Sequence, residues 1–75
     1  MSSSNRHALC VALGMRIRAL RLKSGLKQAD LAVHLGLSRG HLSDLERGTR
    51  EVGLITLQVI ARGLDTTMAK MLRGL

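Results

Sequence analysis

Few side chains in this sequence can do covalent chemistry, and none are grouped for it. Its 75 residues hold one cysteine (Cys10), three histidines (His7, His34, His41) and five Asp or Glu. A single cysteine can form neither an internal disulfide nor a paired-cysteine metal site, and three scattered histidines make no ligand set. The sequence shows no phosphate loop, no nucleophile beside a candidate base and no paired carboxylates. The reading is therefore a non-enzyme with no cofactor and no metal. Cys10 reads as a small apolar residue, and His34 as a surface residue of its helix.

The residue types favour ionic chemistry instead. Twelve Lys and Arg against five acids give a net charge of +7. On a domain this small, that balance suits a polyanionic partner. One group of cations holds Arg16, Arg18, Arg21, Lys23 and Lys27, and the other holds Arg39, Arg47 and Arg50. Phe, Tyr and Trp are absent, which removes the stacking platforms that single-strand binders use. Between and within the groups runs the stretch from Gln28 to Arg47, QADLAVHLGLSRGHLSDLER. With Leu31, Leu35, Leu42 and Leu45 turned inward, Arg39, Gly40, Ser43 and Asp44 must face outward. A rigid apolar back with a polar front is what a helix needs to enter a nucleic-acid groove.

The elements that would position that front are all helical. Leu9, Leu13, Ile17 and Leu20 recur at steps of four, four and three, which gives a first helix over about 7–24. Gly25 ends it, and Leu26 tucks in behind. A second helix spans 28–35, with Ala32 small enough for the next helix to cross close above it. Gly36 turns the chain, and Leu37 plugs the turn. Ser38 stands at the N-cap of a third helix over 39–47, which Gly48 stops. A fourth helix over about 54–64 points Leu57, Ile60, Ala61 and Leu64 inward. After a turn at 65–67, Thr67 caps a last short helix carrying Met68, Met71, Leu72 and Leu75. The absence of proline suits these helices, and fifteen leucines supply an aliphatic core. The expected architecture is an all-α, compact five-helix bundle containing a helix-turn-helix, with a flexible tail over 1–6 and a single domain over 7–75. No apolar run nears the ~20 residues of a membrane span, and Met1 to Asn5 lacks the order of a signal peptide. The expectation is a soluble cytoplasmic protein with no membrane association.

These motifs resemble the Cro/repressor-type (Xre-like) helix-turn-helix family, whose DNA-binding domains have the lambda repressor-like fold. The likeness runs from about Leu13 to Leu72. It rests on IRALR at 17–21, GLKQADLA at 25–32, GLSRGHLSDLERG at 36–48 and LITLQVIARGL at 54–64. The subset that controls restriction-modification operons is especially similar at 38–47. The resemblance implies a regulator of transcription that binds double-stranded DNA with its third helix in the major groove. For the restriction-control subset it also implies RNA polymerase as a partner. Arg39, one past the N-cap, carries a planar fork that matches guanine O6 and N7. Gly40, His41, Ser43 and Asp44 share the base-reading front. Gln28, at the start of the second helix, is a phosphate contact in the family, and Lys27, Ser38, Arg47 and Arg50 bracket the same backbone. Arg21 falls on the edge of the buried stripe and needs a counter-charge. The family pairs its position with that of Glu46 in a structural ion pair.

Four positions depart from the family pattern. Lys27 stands where a capping residue is usual, Gly53 where Ser caps the fourth helix, Asp65 where Gly is common, and His41 where the restriction-control subset often has Tyr. On the fourth helix, Ile55 and Val59 lie roughly opposite the core face. With Met68 they can form a two-fold interface, the region that family dimers use. A homodimer of this kind implies a palindromic operator, with recognition helices about 34 Å apart. The alternative is an antitoxin-like or other protein-binding helical module. A third option, a basic amphipathic membrane binder, conflicts with a first helix whose apolar stripe is committed to the core.

Overall fold

Five helices follow one another: α1 (Ser3–Lys23), α2 (Gln28–Leu35), α3 (Arg39–Arg47), α4 (Leu54–Gly63) and α5 (Met68–Leu72). The computed structural model describes residues 3–75, with side chains from Arg6 onward. Four of the helices end in the same way. At each end an N–H bonds the carbonyl five residues back, across a residue in the left-handed region: Leu26 to Arg21, Leu37 to Ala32, Thr49 to Asp44 and Thr66 to Ala61. The left-handed residues are Gly25, Gly36, Gly48 and, at the fourth, Asp65 with φ 56°. The motif satisfies carbonyls that the helix leaves without partners and turns the chain sharply. Asp65 therefore keeps the turn shape of the glycine usual there. Asp tolerates this backbone region better than most residues with a Cβ.

The N-termini are uneven. Ser38 accepts from the His41 N–H at 3.0 Å, and Thr67 accepts from the Lys70 N–H at 3.1 Å. Lys27 and Gly53 make no side-chain cap. The missing cap at Lys27 forgoes about 1 kcal/mol and that at Gly53 a few tenths, which packing must supply.

Packing centres on twelve buried apolar side chains, among them the fully enclosed Ile17, Leu31, Leu42, Leu45, Ile60 and Met71. Burying each large one contributes about 1.5–3 kcal/mol. Leu20, Leu26, Leu37, Val52 and Met68 close the edges of this core. α1 lies across α3, α2 against α3 and α4, and α5 against α1 and α4. With no aromatic rings to fill space, the helices approach closely. At Gly14 an added Cβ would overlap the Leu45 carbonyl oxygen and stand 2.6 Å from that of Glu46. At Gly48, already at φ 75°, it would stand 2.6 Å from the Cα of Val11. Gly48 thus serves both the turn and the crossing.

Three features differ from the sequence reading. α1 starts at Ser3, so residues 3–6 of the expected tail are helical, while Met1 and Ser2 lie outside the described residues. No proline or glycine breaks the helix in this stretch, and Arg6 reaches Glu51 at 3.1 Å through an exposed ion pair. Leu9 is 48% exposed, not buried. A 21-residue helix is about 31 Å long, and its partners are less than half that, so its first turns overhang the core. Arg16 is half-buried and does not simply face solvent. Its Nη1 donates to the carbonyls of Met71 and Arg73, both at 3.0 Å, and so tethers the end of α5 to α1.

Gly14→Ala is a test of the α1–α3 crossing because two effects oppose. Helix propensity favours alanine by about 1 kcal/mol, whereas forcing a methyl into a closed crossing costs about 1–3 kcal/mol. The expected outcome is a net loss of stability in urea denaturation. A more stable variant would mean that α1 and α3 are not in contact there.

Candidate nucleic-acid interface

The third helix owes its orientation to its apolar back. Leu42 and Leu45 are 0% and 1% exposed, set into the core against α1 and α2. Its opposite face is open: Arg39 and Gly40 are exposed, and His41, Ser43 and Asp44 are half-buried. Ser38 is extended at φ −72°, ψ 153°, and its hydroxyl oxygen is engaged as the cap. That leaves the hydroxyl proton free to donate outward.

The helix is also clamped electrostatically. Arg21 Nε donates to Glu46 Oε2 at 2.7 Å and Arg21 Nη2 to Glu46 Oε1 at 2.9 Å, a two-pronged pair. Both side chains are more than nine-tenths buried. Arg21 Nη1 donates to the Leu26 carbonyl at 3.0 Å, and Gln28 Nε2 donates to Glu46 Oε1 at 3.2 Å. The pair therefore gathers α1, the loop after it, α2 and α3 on one point. Among the described residues no buried side-chain nitrogen or oxygen lacks a hydrogen-bond partner. The Glu46 hydrogen bonds, then its charge, hold the Arg21 guanidinium above the ordinary arginine range, and burial pulls the other way. A raised folded pKa stabilises at every pH below that range and is lost only in strong alkali.

The structure gathers some of the residues expected to contact DNA and separates others. Gln28, Ser43 and Arg47 line one cleft of about 400 Å³ between α1, α2 and α3, together with Arg18, Arg21 and Glu46. The Gln28 amide nitrogen is turned to Glu46, so the parts of α2 open to an outside anion are its uncapped N–H groups. Lys27 is exposed beside them. Asp44 does not stand free: its Oδ1 accepts from Arg47 Nη2 at 2.6 Å, one helical turn on. Arg50 is exposed in the loop after α3 and lines a different cleft, with Arg6, His7 and Cys10. On α4, Ile55 and Val59 are 71% and 39% exposed, whereas Met68 is partly buried against the core. Leu54, 70% exposed beside Ile55, was not singled out by its sequence pattern. Arg18 was not assigned to this surface either, although its spacing of three from Arg21 sets both on one helical face.

A helix whose back is locked in a bundle and whose polar front is open, preceded by a second helix across a tight turn, defines a helix-turn-helix protein. The Helix-turn-helix family model matches residues 17–71, and the chain belongs to that family. It is similar to the uncharacterized HTH-type transcriptional regulator y4dL of Sinorhizobium fredii, 42% identical over 50 residues, which are 67% of this chain and 26% of that protein. It is also similar to control protein C.BamHI of Bacillus amyloliquefaciens, 42% identical over 52 residues, 68% of this chain and 64% of that one. The chain thus spans about a quarter of the first relative and just under two thirds of the second. Among solved structures, the restriction-modification controller protein C.AhdI from Aeromonas hydrophila superposes with a TM-score of 0.82 at 38% identity, over 85% of this chain and 97% of that one.

The buried pair can be tested by removing one partner and then both. Glu46→Ala strands the Arg21 charge and is expected to cost about 3–5 kcal/mol, much of what a domain of this size has. Replacing Arg21 by Met and Glu46 by Leu together should recover most of that loss in urea denaturation. A double variant as unstable as the single one would show that the arginine is not held by its charge partner.

Proposed function

We propose that this chain is a cytoplasmic, sequence-specific regulator of transcription that binds double-stranded DNA as a homodimer, with residues 38–47 of each protomer in the major groove of a palindromic operator. The observation that carries this reading is the asymmetry of α3: Leu42 and Leu45 are sealed in the core, while Arg39 is exposed at its first turn. In this reading Arg39 pairs with a guanine edge, and Gly40, His41, Ser43 and Asp44 form the rest of the base-facing surface. Lys27, Gln28, Ser38, Arg47 and Arg50 hold backbone phosphates, with Gln28 contributing chiefly through the N–H end of its helix. No helix among the described residues is long and apolar enough to cross a membrane. The similarity to C.BamHI and C.AhdI supports a restriction-modification controller, and RNA polymerase is the further partner that role implies.

Ile55 and Val59, with the edge of Met68, supply the two-fold contact. The exposure of Ile55, Leu54 and Val59 on one short helix supports this, since large apolar side chains clustered on a surface favour burial against a partner.

Selection of bound sites from random duplex DNA is the direct test, with enrichment of one palindrome as the expected result. On the selected site Arg39→Ala should lose about 1–3 kcal/mol of affinity, with little change on random duplex. Equal loss on both would remove Arg39 from base reading, and no duplex preference in the unaltered protein would overturn the function.

Ile55→Glu should convert the dimer to a monomer in sedimentation equilibrium while leaving the helical circular dichroism unchanged, because Ile55 adds nothing to the core. An Ile55→Glu protein that still sediments as a dimer would put the interface elsewhere.

A further inference from the structure

The cleft between α1 and α3 holds more positive charge than the fold needs. Its lining contains three arginines, Arg18, Arg21 and Arg47, and one carboxylate, Glu46. Glu46 is engaged by Arg21 and Gln28, and Arg47 is shared with Asp44 on the outer face of α3. Among the described residues no carboxylate lies within ion-pair distance of Arg18, which is exposed at the rim. The floor of the cleft is rigid, because the buried pair and the Gln28 amide lock it. Its walls offer the Ser43 hydroxyl and the Arg47 guanidinium, spaced one turn apart on a flank of α3.

We propose that this cleft seats one DNA backbone phosphate, with Arg18 as a phosphate-binding residue supplied by α1. The assignment rests on the duplex-binding function above and adds a contact to it. A helix about 10–12 Å across nearly fills a major groove about 12 Å wide, so its flanks face the two sugar-phosphate strands while its front faces the bases. Ser43 lies where front and flank meet, and α1 stands behind that flank. An arginine reaching from α1 past Ser43 therefore meets the strand beside the groove. Glu46 does not repel the phosphate appreciably, since its side chain is 3% exposed and faces a guanidinium. Such a contact positions the recognition helix and reads no sequence.

The experiment measures affinity for the selected operator and for random duplex across a range of salt concentrations, in the full-length dimer. Arg18→Gln should lower affinity equally on both DNAs and reduce the salt slope by about 0.9 per protomer, about 1.8 for the dimer. Arg18→Lys should keep most of the slope, because a phosphate accepts either cation. Arg62→Gln, on the exposed side of α4, is the control that should leave the slope unchanged. Ethylation of single phosphates should interfere at one position per half-site in the unaltered protein and lose that effect in Arg18→Gln. An unchanged slope in Arg18→Gln would overturn the proposal while the DNA function stands. Absence of salt-dependent duplex binding in the unaltered protein would overturn both.

Discussion

The exposed front of α3 depends on a pair of charges hidden behind it. Arg21 and Glu46 are among the most deeply buried polar groups of the described residues, and none of their buried side-chain nitrogens or oxygens lacks a hydrogen-bond partner. A pair of this kind adds little net stability compared with apolar residues of the same shape, since desolvation offsets much of the attraction. Its value lies in direction. Leucines allow α3 to rotate or slide by a fraction of a turn at modest cost, whereas a two-pronged guanidinium–carboxylate contact fixes angle and distance together. Because Arg21 also binds the Leu26 carbonyl and Glu46 also binds Gln28, the register of α1, α2 and α3 is set at one point. The base reading proposed for this front, which tolerates only a fraction of an ångström, needs that fixity.

Around this polar centre the core is purely aliphatic, and its geometry follows from that. Without rings, the spacing between helices is set by small residues that let backbones meet. Gly14 and Gly48 bring α1 onto α3, and Ala32, 2% exposed, lies under the turn that leads into α3. Gly63, the last residue of α4, makes room in a smaller way for α2: a Cβ there would overlap the tip of the Leu35 side chain, not backbone. A glycine that weakens α4 as an isolated helix therefore improves the bundle, a case of packing overriding propensity.

Local features of the chain were legible in sequence because their causes are local. The bounds of α2 and α3, the caps at Ser38 and Thr67, and the turns at Gly25, Gly36 and Gly48 depend on residues within one turn of each other. The all-helical class follows from the same signals. The turn at 65–67 was legible too, but its left-handed shape was not, because Asp65 does not announce the backbone that the motif demands. Leu9 was misplaced because periodicity shows which face of a helix is apolar but not how far its partners extend. The Arg16 tether was not legible, since 55 residues separate it from Met71 and only the folded chain brings them together. At the candidate site, the open front of α3 could be read from the leucine spacing alone. Which cations share a cleft, and which of them are already neutralised, could not.

Under the proposed function, that distribution of neutralised and free cations lets one small surface divide two tasks. Three of the five acids are spent on arginines: Glu51 on Arg6, Glu46 on Arg21 and Asp44 on Arg47. Only Asp44 stands on the base-facing front. There it weakens attraction to any nearby phosphate and, with Arg47, holds that part of the helix in one conformation. In the proposed function, non-specific attraction comes chiefly from cations at the margins, Lys27, Arg18 and Arg50, through counterion release, which is indifferent to sequence. On the same proposal discrimination falls to Arg39, whose charge has no acidic neighbour in its own turn and whose fork suits one base geometry. Long-range attraction that is strong at the edges and moderated at the centre lets the protein approach any duplex and remain only where the front fits. A net charge of +7 spread evenly would give the first property without the second.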